Sequence, residues 1–442
     1  MNGIYLSIVL LALYGDILKR YIPPETALFM LYSISIVILL LIYRIRNEKA
    51  SVIPISREGV KILFFVKILI SIYLLQLFTS INAPFMEGLS HALYMCIPLL
   101  YVVVIQEYCP EFELSRLGNY FLWLMIPVNL VGLAQYFIDP QFFASSTYNA
   151  DSGIIYRNLL EGSFFARFPS VFASADRYSS MGLMQVYFVF ILLLSRFENS
   201  FRNFLWISFN FVSAFAALFI AGARSRILII VSVFAIMSIV VLLSCISATI
   251  KHTINIKLVK FVSFALILVV GFYFFGKTFI PREETEVFPV LTFLVQTYES
   301  NDVQDRIEQA IDLSLIPENI TLFGEGLGSI DNAGKPGEFG IYSIWIESGL
   351  VWGSFLLIAF IGFIYVLSIL TVRAFIAMKP VHLFIYCTAL LLLIFGLLAG
   401  FTGVFELSTG ILLCCSIAVI TRSPYYITGH SFTAQPTMSD QR

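Results

Sequence analysis

DRIEQAIDLSLIPENITLFGEGLGSIDNAGKPGEFGIYSIWIESGLVWG, residues 305–353, passes from a polar loop into apolar sequence without a break. Arg306 opens it, and a Gly-x-Gly-x-Gly turn follows at Gly324, Gly326 and Gly328, with Glu325, Asp331 and Glu338 around it. Glycine tolerates positive φ, so this spacing predicts a tight turn. Its acidic neighbours disfavour direct contact with an anion. Through Tyr342, Trp345, Glu347, Gly349 and Gly353 the chain then enters an apolar run reaching residue 370. That run exceeds the ~20 residues a helix needs to cross a bilayer. It is therefore expected to be tilted or to extend beyond the hydrocarbon.

The rest of the chain repeats this apolar character. Hydrophobic residues make up 59%, aromatic residues 16% and charged residues only 12%, with a mean hydropathy of +0.89. Soluble domains carry about 25% charged residues, so the composition is that of a membrane protein. A net charge of −1 gives no sign of a nucleic-acid partner. Apolar runs fall near 2–16, 27–43, 62–82, 89–106, 118–138, 179–195, 204–222, 227–246, 261–276, 341–370, 382–399 and 402–421. The expectation is an all-α integral membrane protein of about twelve transmembrane helices. The first run lacks the charged flank and small-residue cleavage site of a signal peptide, so it reads as a retained span.

Lysine and arginine in the short connections set the orientation. With the N-terminus inside, Arg44, Arg46, Lys49, Arg57, Lys61, Arg116, Arg196, Arg202, Lys251, Lys257, Lys260, Arg373, Lys379, Arg422 and Arg442 fall on the inner side. The short outer connections hold only Lys19, Arg20, Arg224 and Arg226. Both termini are thus expected in the cytoplasm, with two long outer loops at about 139–178 and 277–340. Residues 1–428 form one polytopic domain in this reading, followed by a disordered tail, 429–442. Neither outer loop contains Cys or His. No disulfide or zinc spacing is present, and His91 stands alone near an outer helix end. No P-loop, dinucleotide fingerprint or nucleophile elbow occurs.

Charges close to spans carry more information, because an arginine at a helix centre costs roughly 2.5–3.5 kcal/mol. Arg224 and Arg226, in AGARSRIL, lie between two nearly full-length apolar runs. They sit at an outer turn or face a wet cavity, and interfacial snorkelling is the plain alternative. Arg167 and Arg177, in RFPSVFASADRYS, immediately precede a span. They are ordinary loop cations or a clamp on phosphate, whose oxygens match the guanidinium fork. Residues 302–315 place Val303, Ile307, Ala310, Ile311 and Leu315 on one helical face, predicting an amphipathic helix in the second loop with Arg306 on its polar side. Gly349/Gly353 and Gly396/Gly400 have the spacing of close helix packing.

In order, RFPSVFASADRYS, AGARSRI, DRIEQA, FGEGLGS and IESGLVWG resemble the O-antigen polymerase and ligase superfamily of membrane glycosyltransferases. The likeness covers about two-fifths of the chain, from Arg167 to Gly353. It implies an undecaprenyl-diphosphate-linked oligosaccharide as substrate, the outer face of the bacterial inner membrane as the place of reaction, and a chain-length regulator protein as a partner. It ranks Arg167, Arg224 and Arg306 highest among the arginines. The ligase branch carries a histidine about nine residues before the Glu-x-Gly, where this chain has Glu338. That departure favours polymerase over ligase.

The chemistry expected of such a site needs no cofactor or metal. A hydroxyl of one lipid-linked unit attacks a sugar C1 whose leaving group is polyprenyl diphosphate, and fixed guanidiniums stabilise the charge that develops. Arg167, Arg224 and Arg306 are the catalytic candidates, with Arg177 and Arg226 binding substrate beside them. Glu338 is the candidate base, and Glu325 and Tyr342 are placed at the substrate. For either carboxylate the commoner role is that of a solvated loop residue. Two alternatives remain at this stage: a ligase moving finished glycan to lipid A-core, and a flippase of the lipid-linked oligosaccharide. A flippase would need paired broken helices or repeats, and no internal repeat is evident.

Overall fold

The computed structural model describes residues 2–47, 55–79, 84–109, 111–138, 142–143, 170–172, 175–195, 201–221, 229–230, 232–233, 321–327, 341–377, 379–399 and 407–422. Every regular element among them is helical. In chain order these are α1 (Asn2–Tyr21), α2 (Pro24–Asn47), α3 (Arg57–Thr79), α4 (Phe85–Tyr108) and α5 (Leu114–Phe137). Then follow α6 (Ala175–Ser195), α7 (Phe201–Ile220), α8 (Ile341–Ile376), α9 (Pro380–Ala399) and α10 (Leu407–Arg422). Five stretches within them, Thr26–Arg44, Arg57–Thr79, Phe85–Tyr108, Leu114–Phe137 and Ile344–Ile376, are long and apolar enough to cross a membrane. The architecture is that of an all-α, multi-pass membrane protein. The runs expected at 227–246 and 261–276, the amphipathic helix at 302–315 and the tail at 429–442 lie outside the described residues, four helical positions within 229–233 apart.

Packing leaves large apolar side chains uncovered on several helices. Leu40, Phe64 and Ile358 on α2, α3 and α8 are 59%, 59% and 65% exposed. Contiguous apolar surface of this kind is rare on a water-soluble monomer and suits hydrocarbon. α10 is the opposite case, buried over nearly all of its length. It lies against α4, whose Ala92, Ile97, Tyr101 and Ile105 are also buried. These two helices form the centre of the bundle.

Side-chain contacts sort the helix ends into two groups. The C-terminal end of α10 meets the C-terminal end of α4, where the Arg422 Nη1 donates to Ile105 O at 3.0 Å. The residues before α3 join there, with Ser56 N donating to Arg422 O at 3.3 Å. The far end of α8 arrives through Arg373 Nη1 and Glu58 Oε1, 3.0 Å apart. α1 and α5 begin at the same end, where Glu113 N donates to the Tyr5 hydroxyl at 2.7 Å. Arg44, Arg57, Lys61, Arg116, Arg202, Arg373, Lys379 and Arg422 thus gather at one end of the bundle, called here the basic end. The opposite end holds the start of α4, the end of α3, the start of α6 and the first turns of α8.

Candidate functional site

At that opposite end α8 is not continuous. Gly349 takes φ +66° and ψ −172°, so the helix stops and restarts. Such a break frees backbone groups, and within a membrane each unsatisfied one costs several kcal/mol. Residues 321–327 supply the missing partners. Glu325 N donates to Ile346 O at 2.9 Å and Gly326 N to Glu347 O at 3.0 Å. Beyond the break, Leu350 N donates to Thr321 O at 3.3 Å and Val351 N to Leu322 O at 3.0 Å. The turn and the broken helix are one hydrogen-bonded unit.

Glycine is required on both sides of this joint. Gly324 has φ +79° and Gly326 φ +112°. A Cβ on Gly324 would fall inside contact distance of Glu347 O and Gly349 N. On Gly349 it would meet Gly324 N, and lie 2.6 Å from Thr321 O. The paired spacing Gly349/Gly353, expected to serve helix packing, is corrected at its first member. Gly349 makes the helix break and receives the turn.

Two neighbouring helices hold the joint in place. From α3, Gln76 Nε2 donates to Ser348 Oγ at 2.8 Å and to Glu347 O at 3.4 Å. Trp352 Nε1, one turn past the break, donates to Thr79 Oγ1 at 2.7 Å. From α4, His91 Nε2 lies 3.7 Å from Glu347 Oε2, with the two side chains 3% and 5% exposed. This is ion-pair distance rather than a hydrogen bond. Among the described residues the other ring nitrogen, His91 Nδ1, has no hydrogen-bond partner. Two polar side chains thus face one another in the buried interior of this end.

A second polar system at this end fixes the approach to α6. Gln135 on α5 grips Ser170 through both amide atoms, accepting from its N–H at 2.7 Å and donating to its carbonyl at 3.0 Å. Below it, Asn129 donates to Gln185 Oε1 at 2.9 Å and also bonds Ser213, and Gln185 passes the chain to Asn210 Oδ1 at 3.2 Å. Tyr178 completes it, donating to Asn129 Oδ1 at 3.2 Å. These bonds tie α5, α6 and α7 together immediately under Arg177.

Of the candidate residues named from sequence, Arg177 stands half-buried in the first turn of α6. Glu325 is in the docked turn with its side chain exposed and its N–H bound to α8. Tyr342 falls in the first turn of α8. Arg167, Arg224, Arg226, Arg306 and Glu338 lie outside the described residues. The structure joins FGEG to IESG, the fourth and fifth of the sequence elements. His91, set aside above as isolated, belongs to the same cluster, and so does Gln76. Their signal was present in the sequence: an uncharged polar residue inside an apolar span needs a partner. Among the described residues no three His, Cys, Asp or Glu side chains gather as a metal site.

No protein-family model matches the chain, and no match was found among curated proteins.

Proposed function

We propose that this chain is a polysaccharide polymerase of the bacterial inner membrane, joining undecaprenyl-diphosphate-linked repeat units at the outer face. The observation that supports this reading best is the joint between Gly324–Gly326 and Glu347–Gly349. Two elements of the glycosyltransferase likeness meet there, over a buried His–Glu pair, at the end opposite the basic one. The positive-inside rule assigns the basic end to the cytoplasm and the joint to the outer face. About twelve spans, N-in and C-in, complete the proposed topology.

The reaction proposed is a displacement at a sugar C1. The acceptor hydroxyl oxygen forms the new glycosidic bond, and the C1–O bond to diphosphate breaks. The electron pair leaves on undecaprenyl diphosphate, and the hydroxyl proton goes to a carboxylate, Glu338 being the first candidate. Arg167, Arg224 and Arg306 would receive the developing negative charge, with Arg177 and Arg226 holding the donor. Guanidinium is suited to this because its donors pair with two phosphate oxygens at once. The rigid joint would carry the loop bearing Arg306 and Glu338 to a fixed place on the bundle, which is the precision such a displacement needs.

The histidine of the ligase branch is absent from the loop, and Glu338 stands in its place. His91 brings an imidazole to this end, but from inside α4 and only 2% exposed. It serves Glu347 rather than a substrate, so polymerase remains the preferred reading. Membranes carrying the protein and supplied with lipid-linked repeat units should form chains of several units on undecaprenyl diphosphate. Failure to extend any supplied unit, with the protein folded and present, would count against it.

A further inference from the structure

The geometry points to a second site, at the basic end: a groove between α1, α5 and α7 that holds the phosphate headgroup of an anionic phospholipid. The groove has a volume of about 1050 Å³ and is lined by Arg116, Asn119 and Trp123 of α5 and by Arg202, Asn203 and Trp206 of α7. Two cations from separate helices therefore converge on one space, with amide donors beside them. The Trp123 and Trp206 rings stack at 4.2 Å between centroids and 29° between planes. Trp123 is 61% exposed, so this platform faces out of the bundle. A tryptophan pair next to arginines is the side-chain set of the headgroup level, where indole sits between water and hydrocarbon. Asn2, at the start of α1, completes the lining. All three helices enter by their N-terminal ends, whose dipoles add to the same positive field.

Arg116 is partly satisfied, its Nε lying 2.9 Å from Glu113 Oε2. Its side chain is still half exposed, at 50%. Arg202 makes the stronger contribution, with no acid paired to it among the described residues. A basic recess at the headgroup level, between membrane helices, fits a lipid phosphodiester anchored by its acyl chains. The site is independent of the sugar chemistry proposed for the opposite end.

The test uses the full chain in phosphatidylcholine nanodiscs containing a minor share of either brominated-acyl phosphatidylglycerol or brominated-acyl phosphatidylcholine. Trp345→Phe with Trp352→Phe leaves Trp123 and Trp206 as the reporters among the four tryptophans. Phosphatidylglycerol should quench them more strongly, and Arg116→Gln with Arg202→Gln should abolish the difference. One arginine near an anionic headgroup is worth about fivefold in occupancy, with less expected from the Glu113-paired Arg116. Native mass spectrometry of the chain with all four tryptophans gives the same comparison should the reporter background fail to fold. There, phosphatidylglycerol should survive delipidation on the unaltered chain and be lost from the double variant. Equal quenching by both lipids, or retention unchanged by the double variant, would overturn the proposal. Release of the lipid by millimolar inorganic phosphate would show a soluble-anion site and overturn the lipid assignment.

Discussion

Gly324 and Gly349 meet backbone to backbone, each at positive φ, each occupying the space where the other's Cβ would stand. Both residues are therefore committed to glycine by conformation and by contact. Gly324→Ala and Gly349→Ala are each expected to lower the thermal unfolding temperature in detergent. Left-handed backbone costs a non-glycine residue about 1–3 kcal/mol, and the clash adds to it. Because they break one shared joint, the double variant should fall well short of the summed effects. Gly3→Ala, with nothing near its Cβ, is the control and should leave the melt unchanged.

His91 and Glu347 should behave as a coupled pair. His91→Ala takes the imidazole from beside the buried Glu347 side chain and leaves a cavity, so it is expected to lower the unfolding midpoint. Glu347→Gln keeps the shape of the side chain, so it should cost less. In the Glu347→Gln background, His91→Ala should then do far less harm than it does alone. Unfolding midpoints of the four proteins give the coupling, and strict additivity would show that the two groups do not interact.

Spans were legible because bilayer thickness sets a length that survives in any apolar run. The runs at 27–43 and 89–106 became Pro24–Asn47 and Phe85–Tyr108. Polar loops obey no such rule. FGEGLG and IESG read as separate elements, since a backbone hydrogen bond such as that from Gly326 N to Glu347 O leaves no mark on side-chain pattern. The break at Gly349 was hidden for the same reason: a Gly-x-x-x-Gly spacing describes a smooth packing face equally well. Gln76 and His91 do not stand out in a pattern of formal charges. Each was an uncharged polar group in an apolar helix, and each turned out to be held by the same few residues of α8.

Sidedness is tested by single cysteines. Ser146→Cys and Ser329→Cys, in the two long loops, should react with an impermeant thiol reagent in intact spheroplasts. Ser51→Cys, between α2 and α3, should react only after lysis. Ser56 is a poorer probe than Ser51, since its hydroxyl is bonded to Thr421 O. Labelling of Ser51→Cys from outside would invert the topology.

Alanine at Arg167, Arg224 or Arg306 is expected to remove polymer while leaving protein level unchanged. Lysine should restore only part of the activity, because a point charge lacks the two-pronged geometry. Groups acting on one leaving group lose activity non-additively, so the triple variant should be little worse than the worst single one. A membrane assay of chain length measures all of these, and full activity of the triple alanine variant would exclude the arginines from the reaction.

The most direct measurement is the banding pattern of surface glycolipid from cells lacking this protein. A polymerase only extends, so its loss should leave each acceptor with a single repeat unit. The expected gel shows one band of core plus one unit, no ladder, and a ladder restored by the intact gene. Bare core accompanied by long polymer stranded on undecaprenyl diphosphate would instead identify a ligase. Bare core with single units held on the cytoplasmic side would identify a flippase, and either pattern contradicts polymerisation.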